Sequence, residues 1–280
     1  MRSKFVSYVL ITRPVNLAIA LLSVCLGVFV AKTAAPLEKV VFACVSSVAI
    51  MAGGNTINDF FDVDIDRINK SFRPIPSGRM TQGAALQFSI ILFVLGNFLS
   101  IFITIWAFGV ALFTSFGLIL YSAKLKHLVF AGNLGVSLFS ALIFIYGGLA
   151  AQNWFPALIP AGFAFLFHLG REIIKDVEDQ EADKAQSLRT LPVRYGEKTA
   201  LVIITIVFVC LIFFTLVPYG AHIYGKEYLW TVLIGVDFVL LACLVYMWKN
   251  PLPYALRRIS AVLKADMVIG LCAIVVGTVA

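Results

Sequence analysis

The sequence predicts an all-α membrane protein with nine transmembrane helices, the N-terminus cytoplasmic and the C-terminus outside. Three observations predict it. Apolar residues make up 61% of the 280 and charged residues only 13%, against roughly 45–50% and about 25% in a soluble domain. A chain so poor in charge cannot cover itself with a hydrated surface. The charges also sit in short segments, leaving five long apolar stretches at 14–57, 80–123, 128–170, 199–248 and 259–280. Those stretches are continuous rather than alternating, which selects helices over a closed barrel.

The elements follow in order. Met1–Arg13 is basic and runs into Pro14 and a long apolar segment. Because further spans follow, it reads as a retained first helix rather than a cleaved signal peptide. A helix of about 44 residues would be about 66 Å long, twice the roughly 30 Å hydrocarbon core. Each of the first four stretches therefore crosses twice, with turns expected at Lys32–Lys39, Trp106–Gly109, Gln152–Pro156 and Pro218–Glu227. The last stretch crosses once. This topology puts 19 of the 22 Lys and Arg on one side, leaving Lys32, Lys39 and Lys226 on the other. Positive loops stay cytoplasmic, which orients the chain as a multi-pass protein of the cell membrane. The net charge of +7 then reflects topology and anionic lipid, and nucleic acid is not an expected partner.

Cys25, Cys44, Cys210, Cys243 and Cys272 are scattered through apolar sequence, without a CxxC pair or a His cluster. They predict buried free thiols rather than a disulfide framework or a zinc site.

Ten of the fifteen acids fall in two short segments, N-D-F-F-D-V-D-I-D-R from Asn58 and R-E-I-I-K-D-V-E-D-Q-E-A-D-K from Arg171. Asp59, Asp62 and Asp66 are spaced 3 and 4 apart, and Asp176, Asp179 and Asp183 repeat that spacing 117 residues later. Each segment ends an even-numbered span and precedes a basic, proline-containing loop, R-P-I-P-S-G-R from Arg73 and R-T-L-P-V-R from Arg189. The chain is read as one membrane-embedded domain, 1–280, with an internal repeat of about 1–127 and 128–250 plus a ninth helix. Asn58, Asp62 and Asp66 stand at i, i+4 and i+8 and are expected on one helix face. Stacked carboxylates repel unless a cation sits among them. Oxygen donors without Cys or His suit Mg²⁺, which typically bridges carboxylates to substrate phosphates, and the neighbouring Arg and Lys suit the phosphate oxygens. A calcium-loop reading fails, because Arg67 and Arg73 occupy the positions of its glycine and its last acid.

On the N-D-x-x-D-x-x-x-D run, the R-P-I-P-S-G-R loop and the second D-x-x-D-x-x-x-D run, the chain resembles the UbiA-type intramembrane prenyltransferases over essentially its whole length. The segments NKSFRPIPSGRMT and REIIKDVEDQEADKAQSLRTLPVRYG are most similar to the branch that makes digeranylgeranylglyceryl phosphate. The resemblance implies nine helices around a central cavity with an active site at the cytoplasmic face. It implies Mg²⁺-dependent transfer of a geranylgeranyl group from its diphosphate to the hydroxyl of a lipid-like acceptor, geranylgeranylglyceryl phosphate. Asp62, Asp179 and Lys175 are the implied catalytic residues. Asn58, Asp59, Asp62, Asp66, Asp176, Asp179 and Asp183 are the metal-site candidates, with Asp59 and Asp176 either ligands or partners of ligands. Lys70, Arg73, Lys124, Arg67, Asn16 and Arg13 are the candidates for the diphosphate or the acceptor phosphate. An aromatic acceptor is the alternative within the family, and an ion-coupled transporter is the alternative outside it. No obligate protein partner is expected. His168 and Glu172, one turn apart, are read as a polar floor or an aid to acceptor deprotonation. Asp237 has no expected partner, and Asp266, two residues from Lys264, is expected near the interface.

Overall fold

The computed structural model describes residues 2–185 and 188–279, and every regular element in them is helical. The elements are α1 (Arg2–Ile11), α2 (Pro14–Val30), α3 (Leu37–Phe61), α4 (Val63–Asn69), α5 (Gln82–Ser100), α6 (Ile105–Ala123) and α7 (Ala131–Ala150). They continue with α8 (Leu158–Glu178), α9 (Gln180–Ala185), α10 (Leu191–Tyr195), α11 (Glu197–Gly220), α12 (Lys226–Val232), α13 (Phe238–Lys249) and α14 (Pro253–Val279). A π turn, Leu233–Asp237, joins α12 to α13. Among the described residues eight helices are long and apolar enough to cross a bilayer, or up to nine if Phe5–Ile11 and Pro14–Val30, bent by 53°, make one span.

Local chemistry sets the ends. Pro14 opens α2, where its missing N–H costs nothing. Thr81 caps α5 by accepting from the Ala84 N–H at 3.2 Å, and Thr104 caps α6 by accepting from the Ala107 N–H at 3.0 Å. The turn expected at Trp106–Gly109 therefore falls earlier, at residues 101–104, because a threonine that can cap outweighs the glycine. Trp106 lies in the first turn of α6 and is exposed, as an interfacial anchor is.

The chain divides into two units by packing. The first comprises Met1–Leu125 with Ile143–Ala157, and the second comprises Lys126–Leu142 with Leu158–Ala280, a division that cuts through α7. In the first unit, Val24, Ile50, Ile57, Phe93, Tyr146 and Leu149 belong to one buried cluster. Small residues bring its helices together, as is common where lipid gives no hydrophobic drive to association. Ser46 donates to the Gly96 carbonyl at 2.7 Å and lies 2.6 Å from the Tyr146 hydroxyl, and Ser89 donates to the Gly53 carbonyl at 2.9 Å. In the second unit, Gly170 of α8 faces the Phe208 ring of α11.

All five cysteines are free, but only Cys243 is buried, while Cys25, Cys210 and Cys272 are exposed. The expectation of buried thiols is corrected, since a thiol behaves as a small apolar group and an outward apolar face suits it equally well. Cys25 and Cys44 lie 3.9 Å apart as thiols.

The tightest crossing in the first unit is between α2 and α7. A Cβ on Gly27 would collide with the Phe144 carbonyl, and one on Gly147 with the Val24 carbonyl. Backbone atoms cannot give way, so Gly27→Val should destabilise the protein by about 1–3 kcal/mol, read as a lower unfolding temperature in detergent. Gly109→Ala has open space around it and should leave the temperature unchanged or raise it. Equal effects from the two substitutions would contradict this packing.

Candidate functional site

In the first unit the acidic segment straddles a helix break. α3 stops at Phe61, Asp62 takes φ −89° and ψ 6°, and α4 resumes at Val63. Hydrogen bonding carries across: the Asp62 N–H donates to the Asn58 carbonyl at 3.0 Å and the Asp66 N–H to the Asp62 carbonyl at 2.8 Å. The Asn58 side-chain amide donates to Asp62 Oδ2 at 2.9 Å, so Asn58 and Asp62 do share a face. Asp66 and Asp59 are also engaged by arginines. Arg73 Nη1 reaches Asp66 Oδ2 at 2.5 Å and Asp59 Oδ1 at 3.0 Å, and Arg13 Nη2 reaches Asp59 Oδ1 at 2.5 Å. Asp59 and Asp66 are only 3% and 2% exposed, so two buried negative charges are compensated by two guanidinium groups.

Both arginines are held in place. Arg13 sits at the bend between α1 and α2 with φ 55°, a left-handed conformation that residues other than glycine rarely adopt. The buried Asn55 side chain donates to the Thr12 carbonyl at 2.8 Å and pins that bend. Asn55 was not a sequence candidate; the only available signal was its place one turn before the acidic run. Arg73 opens the loop to Met80, which is anchored by the buried cluster of Ile11, Val63, Ile75, Met80 and Ala85. Gly78, with φ 74°, lets that loop turn.

The remaining first-unit candidates lie nearby in sequence but are not drawn into this network. Arg67 pairs with Asp64 at 2.9 Å, both exposed. Lys70 ends α4 and Lys124 ends α6, both exposed. Asn16 is half-buried in the first turn of α2.

The second unit repeats this plan. α8 stops at Glu178, Asp179 interrupts the helix, and α9 starts at Gln180. The Asp179 N–H donates to the Lys175 carbonyl at 2.9 Å and the Asp183 N–H to the Asp179 carbonyl at 2.9 Å. Asp176 Oδ2 accepts from the Asn133 side-chain amide at 2.9 Å, much as Asp59 accepts from Arg13. Asp183 Oδ2 accepts from the Thr190 hydroxyl at 2.9 Å, and Thr190 stands seven residues after Asp183 just as Arg73 stands seven after Asp66. Burial pushes the Asp183 carboxyl above the usual carboxylate range, the Thr190 hydrogen bond works against that rise, and the Asp179 charge adds to it.

In both units, then, the first aspartate is tied to a side chain near the start of another helix of its unit. The middle one stands at the break, and the third is tied to the following loop. The matched spacing of 3 and 4 has this structural meaning. Lys175 does not stand alone: its ammonium lies 2.5 Å from Glu172 Oε1, and Arg171 Nη1 approaches the same oxygen at 3.4 Å. Glu172 is thus engaged by Lys175 and Arg171, and among the described residues the buried Nδ1 of His168 has no hydrogen-bond partner. Among the described residues no three Asp, Glu, His or Cys side chains come together as a metal group.

Removing one member of a buried charge network strands its partners, which costs about 3–5 kcal/mol. Arg73→Leu should therefore lower stability by that order in detergent unfolding. Adding Asp66→Asn should return much of the loss, because the carboxylate left alone is gone while Asp59 keeps Arg13. Equal stability of Arg73→Leu and the wild type would contradict the network.

The family profile for the UbiA prenyltransferase family matches residues 20–262. A digeranylgeranylglyceryl phosphate synthase of Methanopyrus kandleri is 35% identical over 95% of this chain and 97% of its own. One of Thermococcus gammatolerans is 35% identical over 96% and 97%. A solved structure of a digeranylgeranylglyceryl phosphate synthase superposes with a TM-score of 0.85 at 34% identity, covering 100% of this chain and 99% of that one. A UbiA homologue from Archaeoglobus fulgidus, solved with DMAPP and Mg²⁺, shares the fold at a TM-score of 0.68 and 21% identity, over 96% of this chain and 99% of that one. With two helices broken at the middle carboxylate of a repeated D-x-x-D-x-x-x-D run and relatives matched end to end, the chain belongs to the UbiA prenyltransferase family.

Proposed function

We propose that this prenyltransferase joins a geranylgeranyl group, taken from geranylgeranyl diphosphate, to the free hydroxyl of geranylgeranylglyceryl phosphate, giving an ether-lipid precursor. The observation that carries this reading is the near full-length likeness to synthases of digeranylgeranylglyceryl phosphate. Membership of a prenyltransferase family replaces the transporter reading. The proposed topology is nine spans in the cell membrane, with α1 and α2 as one bent span, the N-terminus and charged loops cytosolic, and the C-terminus outside.

The donor set fits Mg²⁺. Asn58, Asp62 and Asp66 in the first unit and Asp179 and Asp183 in the second offer hard oxygens with no sulfur or imidazole. Asp59 and Asp176 act as partners that orient the tips, through Arg13 and Arg73 in one case and Asn133 in the other. Bound Mg²⁺ supplies Lewis-acid neutralisation of the diphosphate as it leaves. The protein does the rest. Lys70, Arg67 and Lys124 donate to phosphate oxygens, as do Lys175 and Arg73 from their ion pairs. In the transfer, the bond from the prenyl C1 to the diphosphate oxygen breaks, the acceptor oxygen bonds to C1, and the hydroxyl proton leaves to a base. His168, with its unpartnered Nδ1, is the candidate base on α8. Apolar helix faces keep water from the allylic cation, and aromatic rings stabilise its charge.

Product analysis by mass spectrometry, with geranylgeranyl diphosphate, geranylgeranylglyceryl phosphate and a panel of aromatic acceptors, tests the reading. The expected product is digeranylgeranylglyceryl phosphate, formed only with a divalent ion. Asp62→Ala and Asp179→Ala should each lower the rate by about 100-fold or more, with the unfolding temperature kept. A prenylated aromatic product, or full activity in either variant, would refute it.

A further inference from the structure

The second unit buries a group of polar side chains that the transfer reaction does not use. Asp237 ends the π turn between α12 and α13 and is 3% exposed, while its neighbours Ile234 and Phe238 are 67% exposed. A π turn adds one residue to the helical repeat and is frequent at functional sites; here Asp237 faces inward while apolar neighbours face outward. The hydroxyl of Thr215, on α11, lies 3.1 Å from both Asp237 oxygens and 2.6 Å from the Ile212 carbonyl. Tyr228 donates to the Thr215 carbonyl at 2.8 Å. From α14 comes Asp266, 2% exposed, and among the described residues neither of its carboxyl oxygens has a hydrogen-bond partner. Asp266 lies on α14, which packs directly against the π turn that carries Asp237. Lys264 lies exposed while Asp266 is buried, so the two side chains face different ways. The Ile269 side chain of α14 packs against Gly235 in the π turn, where a Cβ would meet it.

These contacts leave two problems of chemistry. Thr215 has one hydroxyl hydrogen and three oxygens within reach. If it donates to Ile212, the shorter contact, its lone pairs face a carboxylate. Asp266, for its part, holds two buried oxygens without a donor in a lipid-embedded helix, a costly placement that marks a functional site by default. A proton on Asp237 would let that carboxyl donate to Thr215, but it leaves both Asp266 oxygens without a partner among the described residues. A cation seated among these groups would accept their lone pairs, and a double positive charge would balance two carboxylates.

We propose that Thr215, Asp237 and Asp266 form a binding site for a divalent cation inside the second unit, separate from the acidic tip of α8. All its donors are hard oxygens, so the ion is of the Mg²⁺ or Ca²⁺ type. The site ties α11, the π turn and α14 together.

Equilibrium dialysis with radiolabelled Ca²⁺ tests this on the purified full chain in detergent, after chelation. Because the tip carboxylates also take divalent ions in the proposed function, the measurement uses the Asp62→Ala/Asp179→Ala variant. That variant should still bind one Ca²⁺ per chain, and adding Asp266→Asn should abolish the binding. The isosteric pair Asp237→Asn/Asp266→Asn, which removes both charges, should fold without added ion. Its unfolding temperature should ignore Ca²⁺, whereas that of the wild type should rise with it. Undiminished binding after Asp266→Asn overturns the site. So does the absence of binding in the Asp62→Ala/Asp179→Ala variant, and so does an infrared protonated-carboxyl band, lost in Asp266→Asn, in protein that takes up no Ca²⁺.

Discussion

A helix in lipid must satisfy its own backbone, because nothing around it can accept or donate a hydrogen bond. It can break only where water or another polar group takes over. In α3 and again in α8, the break falls on the middle aspartate of a D-x-x-D-x-x-x-D run, at Asp62 and Asp179. The carbonyls of Asn58 and Lys175 still receive the N–H of those aspartates, so the backbone stays bonded across each break. The rest of each tip serves that position, with one neighbouring aspartate fixed to another helix of its unit and the other fixed to the loop that follows.

The first unit fixes its tip with charge. Arg13 and Arg73 engage Asp59 and Asp66, and these four charges sum to zero. An anionic substrate therefore gains less from these two arginines than their number implies. In the proposed function the attraction falls to cations outside the pairs, Lys70 and Lys124 among them, and to the proposed metal. Buried pairs of this kind are weak evidence for stability but strong determinants of geometry, and the left-handed Arg13 is the strain accepted for that geometry. The second unit fixes Asp176 and Asp183 with neutral donors, Asn133 and Thr190. Two tips with one spacing thus differ in electrostatics.

Much of this is legible in the amino-acid order. Composition and continuous apolar runs predict helices in a membrane, and the acidic spacing locates both tips to the residue. What escapes the sequence has identifiable physical causes. The helical face drawn through Asn58, Asp62 and Asp66 assumes an unbroken helix, and the break at Asp62 sends Asp66 to Arg73 instead. Arg13 and Asp59 are 46 residues apart, and no local periodicity links them. Asn55 looks like an ordinary polar residue in an apolar run until its partner, a backbone carbonyl, is known. The turn before α6 depends on which of two weak signals, a threonine cap or a glycine, prevails. Asp266 and Lys264 stand two residues apart on one helix and point in different directions, so the sequence neighbour is not the spatial one.

The central claim is that the aspartates at the helix breaks, and not merely their acidic surroundings, hold the metal. Electron paramagnetic resonance of Mn²⁺, added as a stand-in for Mg²⁺ with prenyl diphosphate present, measures this most directly in Asp62→Asn and Asp179→Asn. The account predicts that each substitution weakens Mn²⁺ binding by about tenfold or more, while circular dichroism and the unfolding temperature stay at wild-type values. Wild-type Mn²⁺ affinity in both folded variants would contradict it.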